Sequence, residues 1–239
     1  QHNIGILNGT ASGLIDIDLD CAEAVAFADL FLPETVASFG HEGNDRGHYL
    51  VAIKSSGKTR KFNMPDSSEC LVELRSDGSQ TMLPPSIHPS GHKLQFRYIN
   101  DSAPAVDYAD LLVATQRIAA CSVIARSWSE GSRHQLALAF AGMMYKADFD
   151  QDLAENVVNT ICNFTSDEEL DDRLNAVATT YAQDASSISG YGIMVDVLGV
   201  NTARKIAEWL DIGAINTDVI EAEDMSPAVF TVTNEDEIT

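Results

Sequence analysis

Cationic side chains are scarce in this chain: 15 Lys and Arg stand against 36 Asp and Glu in 239 residues, a formal net charge of −21. Phosphate contacts need cations, so this balance argues against a broad nucleic-acid surface and leaves room for a local one. Cysteine is sparse as well. Cys21, Cys70, Cys121 and Cys162 lie far apart and form no Cys-x-x-Cys pair. That spacing excludes a zinc-finger ligand set or a disulfide frame and predicts free, buried thiols in a reducing cytoplasm. No apolar run approaches the length of a bilayer span and no charged-then-apolar leader opens the chain, so no membrane partner is expected. No phosphate-binding Gly-x-x-x-x-Gly-Lys-Ser/Thr loop is present, so that chemistry would have to come from another chain or from the rest of a longer one. Asn8-Gly9-Thr10 and Asn163-Phe164-Thr165 match the glycosylation pattern, but without a secretion signal they are chance matches.

What is present is an ordinary globular composition, 45% apolar, divided into two unlike parts. Residues 1–105 hold 8 Lys/Arg and 13 Asp/Glu, and the remainder holds 7 and 23, so the acid is concentrated late. The first hundred residues alternate in the manner of short strands. Strands are expected at 3–7, 14–19, 36–39, 48–54, 59–63, 70–75, 80–83 and 93–99, with a hairpin through the Gly9–Gly13 turn and one helix over 21–32 that stops before Pro33. After Pro104 the period becomes helical, with helices near 106–127, 132–147, 150–163, 166–183, 190–198 and 202–210. Asp150 and Ser166 are expected N-caps, the latter with Glu169 as a capping box. The expectation is an α+β domain with a mixed or antiparallel sheet over 1–104, an all-α bundle over 105–213 and an acidic tail or linker over 214–239. The chain opens on Gln1, almost directly on a strand, which fits a piece of a longer protein.

The chemistry-bearing residues fall in a few short blocks. In a strand, side chains two apart share a face, so Asp16, Asp18 and Asp20 point one way while Ile15, Ile17 and Leu19 enter the core. Two carboxylates 4 Å apart repel by about 4 kcal/mol at an effective dielectric of 20. A divalent cation relieves that repulsion, and all-oxygen ligands favour magnesium or manganese. The solvated face of an edge strand carries the same alternation without metal, and Asp20 could instead cap the helix that follows. Glu73 lies between Val72 and Leu74, on the face of Arg75, and offers a third carboxylate from another strand. A two-ion site, with ions about 3.5–4 Å apart, needs such a residue; a surface Glu–Arg pair would look alike. His48 opens an apolar strand, where a lone histidine is either structural or a phosphate contact. Ser86 and His88 flank Ile87 in a turn held by Pro84, Pro85 and Pro89, placed to meet a triphosphate or simply to be rigid. Lys54, Lys58, Arg60 and Lys61 form a local basic cluster, a candidate DNA contact. Arg133 and His134 sit in the first turn of a helix, where backbone N–H groups favour a DNA phosphate, although the Ala, Leu and Gly pattern after them is one of helix packing.

Taken in order, the Asp16-x-Asp18 strand, His48-Tyr49-Leu50, and Glu73-Leu74-Arg75 leading into Pro84-Pro85-Ser86-Ile87-His88-Pro89-Ser90-Gly91 resemble a known family. They are similar to the primase–polymerase domains of the archaeo-eukaryotic primase superfamily, as found in phage and plasmid replication proteins. Trp128-x-x-Gly131-x-Arg133-His134 and the acidic run from Asp167 to Tyr181 resemble the helical domain that commonly follows, so the resemblance extends over about residues 3–212. It implies that Asp16, Asp18 and Glu73 hold two catalytic Mg2+ or Mn2+ ions, and that His48 and Arg75, with Ser86 and His88, contact the incoming nucleoside triphosphate. It further implies a single-stranded DNA template, a replicative helicase as partner, and action in the cytoplasm of a cell or viral host. Arg46 stands where the family has a small residue two before the histidine, and the strand and helix that usually precede the first block are short or missing. The expected function is template-directed nucleotidyl transfer that makes or extends primers. The alternative is a degenerate DNA- or nucleotide-binding module of replication without catalysis, and a metal-dependent phosphohydrolase would use the same carboxylates.

Overall fold

The computed structural model describes residues 3–184, 187–188 and 190–212, so the acidic stretch 214–239 lies outside the described residues. The elements run β1 (Ile4–Leu7), β2 (Leu14–Leu19), α1 (Ala22–Phe31), β3 (Ala37–His41), β4 (Asn44–Ala52), β5 (Arg60–Asn63), β6 (Cys70–Arg75), β7 (Gln80–Leu83) and β8 (Gln95–Ile99). Helices follow: α2 (Tyr108–Arg126), α3 (Arg133–Lys146), α4 (Gln151–Thr165), α5 (Leu170–Tyr181), α6 (Tyr191–Leu198) and α7 (Val200–Trp209). The fold is α+β with antiparallel sheets, and the change from strand to helix falls after Pro104 as expected.

Six strands form one sheet in the order β5-β6-β2-β4-β3-β8. The alternation of β2 explains its central place. Ile15, Ile17 and Leu19 are fully buried in a cluster with Tyr49, Val51, Val72 and Leu74 of the neighbouring strands, and this face packs on α1 and α2. A strand so thoroughly covered needs a partner on each side. β4 and β6 take the two edges of β2, so the expected β1–β2 hairpin does not form. A single bridge, Gly9 to Leu14, joins the two segments. Gly9 takes a φ of +75° and Thr10 N–H donates to Asp77 Oδ1 at 2.8 Å. The turn thus leans on the β6–β7 loop, and β1 pairs with β7 in a separate two-stranded sheet, Ile4 opposite Leu83 and Leu7 opposite Gln80.

The α1 helix ends where Leu32 turns extended before Pro33, as a residue preceding proline tends to do. One buried cluster runs from β2 and β6 through α1 and α2 into α3, α4 and α7, so the core does not stop at the change of secondary structure. Contrary to the reading of its hydropathy, one described helix, α2, is long and apolar enough by length and composition to cross a membrane. Its apolar sides are covered by α1, β6, α4 and α7, and a central helix surrounded by protein carries the same apolar signature as a span.

Capping followed the expectation at one helix and departed from it at the next. Asp150 caps α4, its side chain accepting from Leu153 N–H at 2.7 Å. Ser166 is not an N-cap: at a φ of 55° it ends α4 in the left-handed region, and α5 begins from Glu169. Asp167, between the two, turns inward. Its carboxylate accepts from Trp128 Nε1–H at 2.8 Å and from Arg173 Nε–H at 3.1 Å, with Arg133 Nη1 at 3.6 Å. His134 pairs with Asp172 at 2.9 Å. Arg133 and His134, expected as phosphate contacts, are held instead by carboxylates of the α4–α5 segment, and the Trp-x-x-Gly-x-Arg-His block ties α3 to α5.

Candidate active site

The face of the six-stranded sheet opposite the helices carries a continuous row of side chains. Reading across the strands in register, Phe96, Phe39, His48, Asp18, Glu73 and Lys61 stand side by side. The neighbouring row sets Leu50, Asp16 and Arg75 together. The two-residue period of β2 thus places both aspartates on the face away from the core, and antiparallel pairing brings Glu73 and His48 beside Asp18 from either side. Asp16 is fully buried, Asp18 is 5% exposed and Glu73 is 9% exposed. These are not the carboxylates of a solvated edge strand.

His48 Nδ1 lies 3.1 Å from Asp16 Oδ2 and 3.4 Å from Asp18 Oδ1, and its ring stacks on Phe39 with centroids 4.7 Å apart. Arg75 reaches all three carboxylates: Nε donates to Glu73 Oε2 at 2.9 Å, Nη1 is 3.5 Å from Asp16 Oδ2, and Nη2 pairs with Asp18. Lys61 Nζ stands 3.5 Å from Glu73 Oε1. Thr81, on β7, donates its hydroxyl to Asp16 Oδ2 at 2.7 Å and accepts from Asn8 Nδ2–H at 2.9 Å. The small β1–β7 sheet therefore supports the buried aspartate from above.

The electrostatics follow from burial and crowding. Burial pushes the Asp18 carboxyl up to about 7, with Asp16 adding to the rise and His48 and Arg75 opposing it. For His48, burial alone would lower the imidazole, but Asp16 and Asp18 outweigh it and hold it above its usual value. The same carboxylates hold the Arg75 guanidinium charged against the cost of burial.

Asp18, His48, Glu73, Arg75 and Thr81 line a cleft of about 860 Å³, together with Asp20, Asn44, Gln80 and the imidazoles of His41 and His88, while Asp16 lies buried beside that wall. His88 stacks on His41 with centroids 4.3 Å apart, and its Nδ1 lies 2.7 Å from Ser90 Oγ. Burial, with the neighbouring imidazoles His41, His48 and His92, holds the His88 ring below its usual value. Ser86, grouped with His88 as a triphosphate contact, is not in the cleft wall. It is 3% exposed, and its hydroxyl accepts from Ile4 N–H at 2.8 Å and donates to the Ile4 carbonyl at 3.2 Å. Its work is to fasten β1 to the proline turn.

The basic cluster of residues 54–61 divides. Lys54 pairs with Asp107 at 3.8 Å, and Lys58 sits beside Asp77 through a backbone bridge. Arg60 and Lys61 line a second groove, along the β5 edge, with Arg204, Lys205 and Trp209 of α7. Arg46, the departure two residues before His48, pairs with Asp29 of α1 and lies 5.5 Å over the Tyr49 ring, so it does not intrude on the cleft. Thr81, Asn8 and His41 were not singled out in the sequence. A threonine in a Gln-Thr-Met-Leu strand carries no local signal, because only the laying of β7 across β2 brings it to Asp16.

The donor chemistry fits a divalent cation. Three carboxylates and an imidazole converge, and Asp16 Oδ1 is buried without a hydrogen-bond partner. Among the described residues no three His, Cys, Asp or Glu side chains are set as ligands around one point; the Arg75 guanidinium lies between the carboxylates.

Residues 1–108 match the family model described as bifunctional DNA primase/polymerase, N-terminal. No curated protein and no solved structure matches the chain. The match bears out the resemblance over that stretch and agrees with the α+β fold.

Proposed function

With residues 1–108 matching a bifunctional primase/polymerase N-terminal domain, we propose that the chain carries out metal-dependent nucleotidyl transfer on a single-stranded DNA template, making primers or extending them. The observation that supports this most directly is the meeting of three carboxylates from β2 and β6, with Asp18 and Glu73 on the wall of a cleft of about 860 Å³ and Asp16 buried beside them. In this reading the three carboxylates hold two divalent ions, Mg2+ or Mn2+, which when bound lower the pKa of a primer 3′-hydroxyl and neutralise the leaving pyrophosphate. The protein's own part is positioning. β2 and β6 fix the carboxylates by register, Thr81 and His48 orient Asp16, and Phe39 fixes the plane of the His48 ring. His48 and His88 face the cleft as contacts for the triphosphate, with Arg75 beside them. Lys61 pairs with Glu73 and, with Arg60, lines the groove along the β5 edge, which is the path this reading gives the template strand.

Incorporation of labelled nucleotides on single-stranded DNA, with and without a primer, in Mg2+ and in Mn2+, tests the proposal. Product without a primer identifies a primase, and product only with a primer identifies a polymerase. Replacing Asp16 and Asp18 together by Ala is expected to abolish incorporation, and retained activity would sink the site assignment. No product from the folded wild-type protein in either metal would favour the binding module.

A further inference from the structure

We infer that Arg75 is the resident counter-ion of the carboxylate site, and that a divalent cation enters by displacing its guanidinium along the cleft. The inference rests on the reading of Asp16, Asp18 and Glu73 as metal ligands.

The guanidinium engages one oxygen of each carboxylate: Glu73 Oε2 at 2.9 Å, Asp16 Oδ2 at 3.5 Å, and Asp18 Oδ2. Those carboxylates are nearly out of water, with side-chain exposures of 11% for Glu73, 0% for Asp16 and 7% for Asp18. Charges so placed are poorly screened, and a cation close by offsets the cost of burying them. The other cationic groups serve the flanks. Lys61 is on the far oxygen of Glu73, and His48 touches Asp16 and Asp18 from the β4 side. Among the described cationic groups Arg75 alone contacts all three carboxylates, through oxygens that would serve as metal ligands. Guanidinium and metal therefore compete for the same oxygens.

The side chain also has somewhere to go. Arg75 is the last residue of β6, its side chain is 25% exposed, and it lines the same cleft as Asp20, Gln80 and His88. It can swing along that wall without disturbing the register that holds Glu73. Along the cleft the released guanidinium faces the space a polyphosphate would fill, and a fork of N–H donors suits phosphate oxygens. Divalent cation and polyphosphate thus bind as a linked pair, each raising the other's affinity by the same factor.

Mn2+ binding to the whole chain, followed by loss of the free-ion electron paramagnetic resonance signal, tests this with Arg75→Gln, which keeps much of the side chain and removes the charge. The variant is expected to bind Mn2+ at least tenfold more tightly than wild type, to melt lower than wild type in chelator, and to recover in saturating Mn2+. Equal or weaker Mn2+ binding by a folded variant overturns the counter-ion inference and leaves the metal site standing. If neither protein binds Mn2+, the metal-site reading falls and takes the inference with it. Should the variant not fold in chelator, the wild type decides alone: the Arg75 Nε–H resonance, held by Glu73, must shift when Mg2+ is added. A resonance that stays unmoved with Mg2+ bound overturns the inference.

Discussion

At the scale of single residues, the site is a balance of charges that water barely reaches. Asp18 and His48 both hold protons more tightly in the folded protein than in the unfolded chain. The Asp18 contribution to stability is complete below its ordinary value of 3.8 and is lost as pH rises to about 7. The His48 contribution is complete below 6.5 and is lost as pH passes above its raised pKa. Both slopes have the same sign. The metal-free protein should therefore lose roughly 1–3 kcal/mol between pH 5.5 and pH 8.5. Urea midpoints in chelator at those pH values check this, and a flat or rising profile would contradict the burial of Asp18. Acid acts in the opposite sense through Glu23, whose carboxyl the Arg126 hydrogen bonds hold below its usual value, so stability also falls as pH drops through that range.

At the scale of elements, two kinds of tie hold the molecule together. Register is one: the β2–β4 and β2–β6 ladders set every functional side chain of the sheet, and a one-residue slip would send Asp16 and Asp18 into the helix-facing core. The Asp167 knot is the other. Its side chain is fully buried, joined to Arg173, Trp128 and Arg133. Replacing Asp167 by Ala takes the acceptor from Trp128 Nε1–H and Arg173 Nε–H while Glu169 and Asp172 still pair with Arg173, and a cost of about 2–4 kcal/mol is expected in chemical denaturation. His134→Ala, which removes an exposed pair with Asp172, should cost no more than about 1 kcal/mol. Similar losses for the two variants would contradict the division between core tie and surface pair.

At the scale of the whole molecule, a chain of net charge −21 still offers a cationic groove among the described residues. Arg60 and Arg204 line it from β5 and α7, and neither has a carboxylate within ion-pair distance among the described residues. If single-stranded DNA follows this groove, Arg60→Glu with Arg204→Glu should weaken binding and lower the slope of log affinity against log salt by about 1–2. Fluorescence anisotropy across a salt series measures both quantities, and an unchanged slope would put the strand elsewhere. Mn2+ binding serves as the control, since neither arginine reaches the carboxylates.

Local chemistry was sufficient for much of this protein. Alternation in Ile15–Asp20 and in Val72–Arg75 assigned the faces of β2 and β6, Pro33 ended α1, and the switch of period after Pro104 separated strand from helix, because these depend on neighbours a few residues apart. That Asp16 and Asp18 share one face of β2, and Glu73 and Arg75 one face of β6, was legible for the same reason. Long-range pairing decided the rest. β1 left its expected hairpin for β7, and that choice spent Ser86 on the β1 backbone and brought Thr81 to Asp16. The α4–α5 turn claimed Arg133 and His134, and α7 completed the groove begun by Arg60 and Lys61. A side chain's type and face are written in its own segment, whereas its partner is set by whichever distant segment the buried core and the sheet register bring against it.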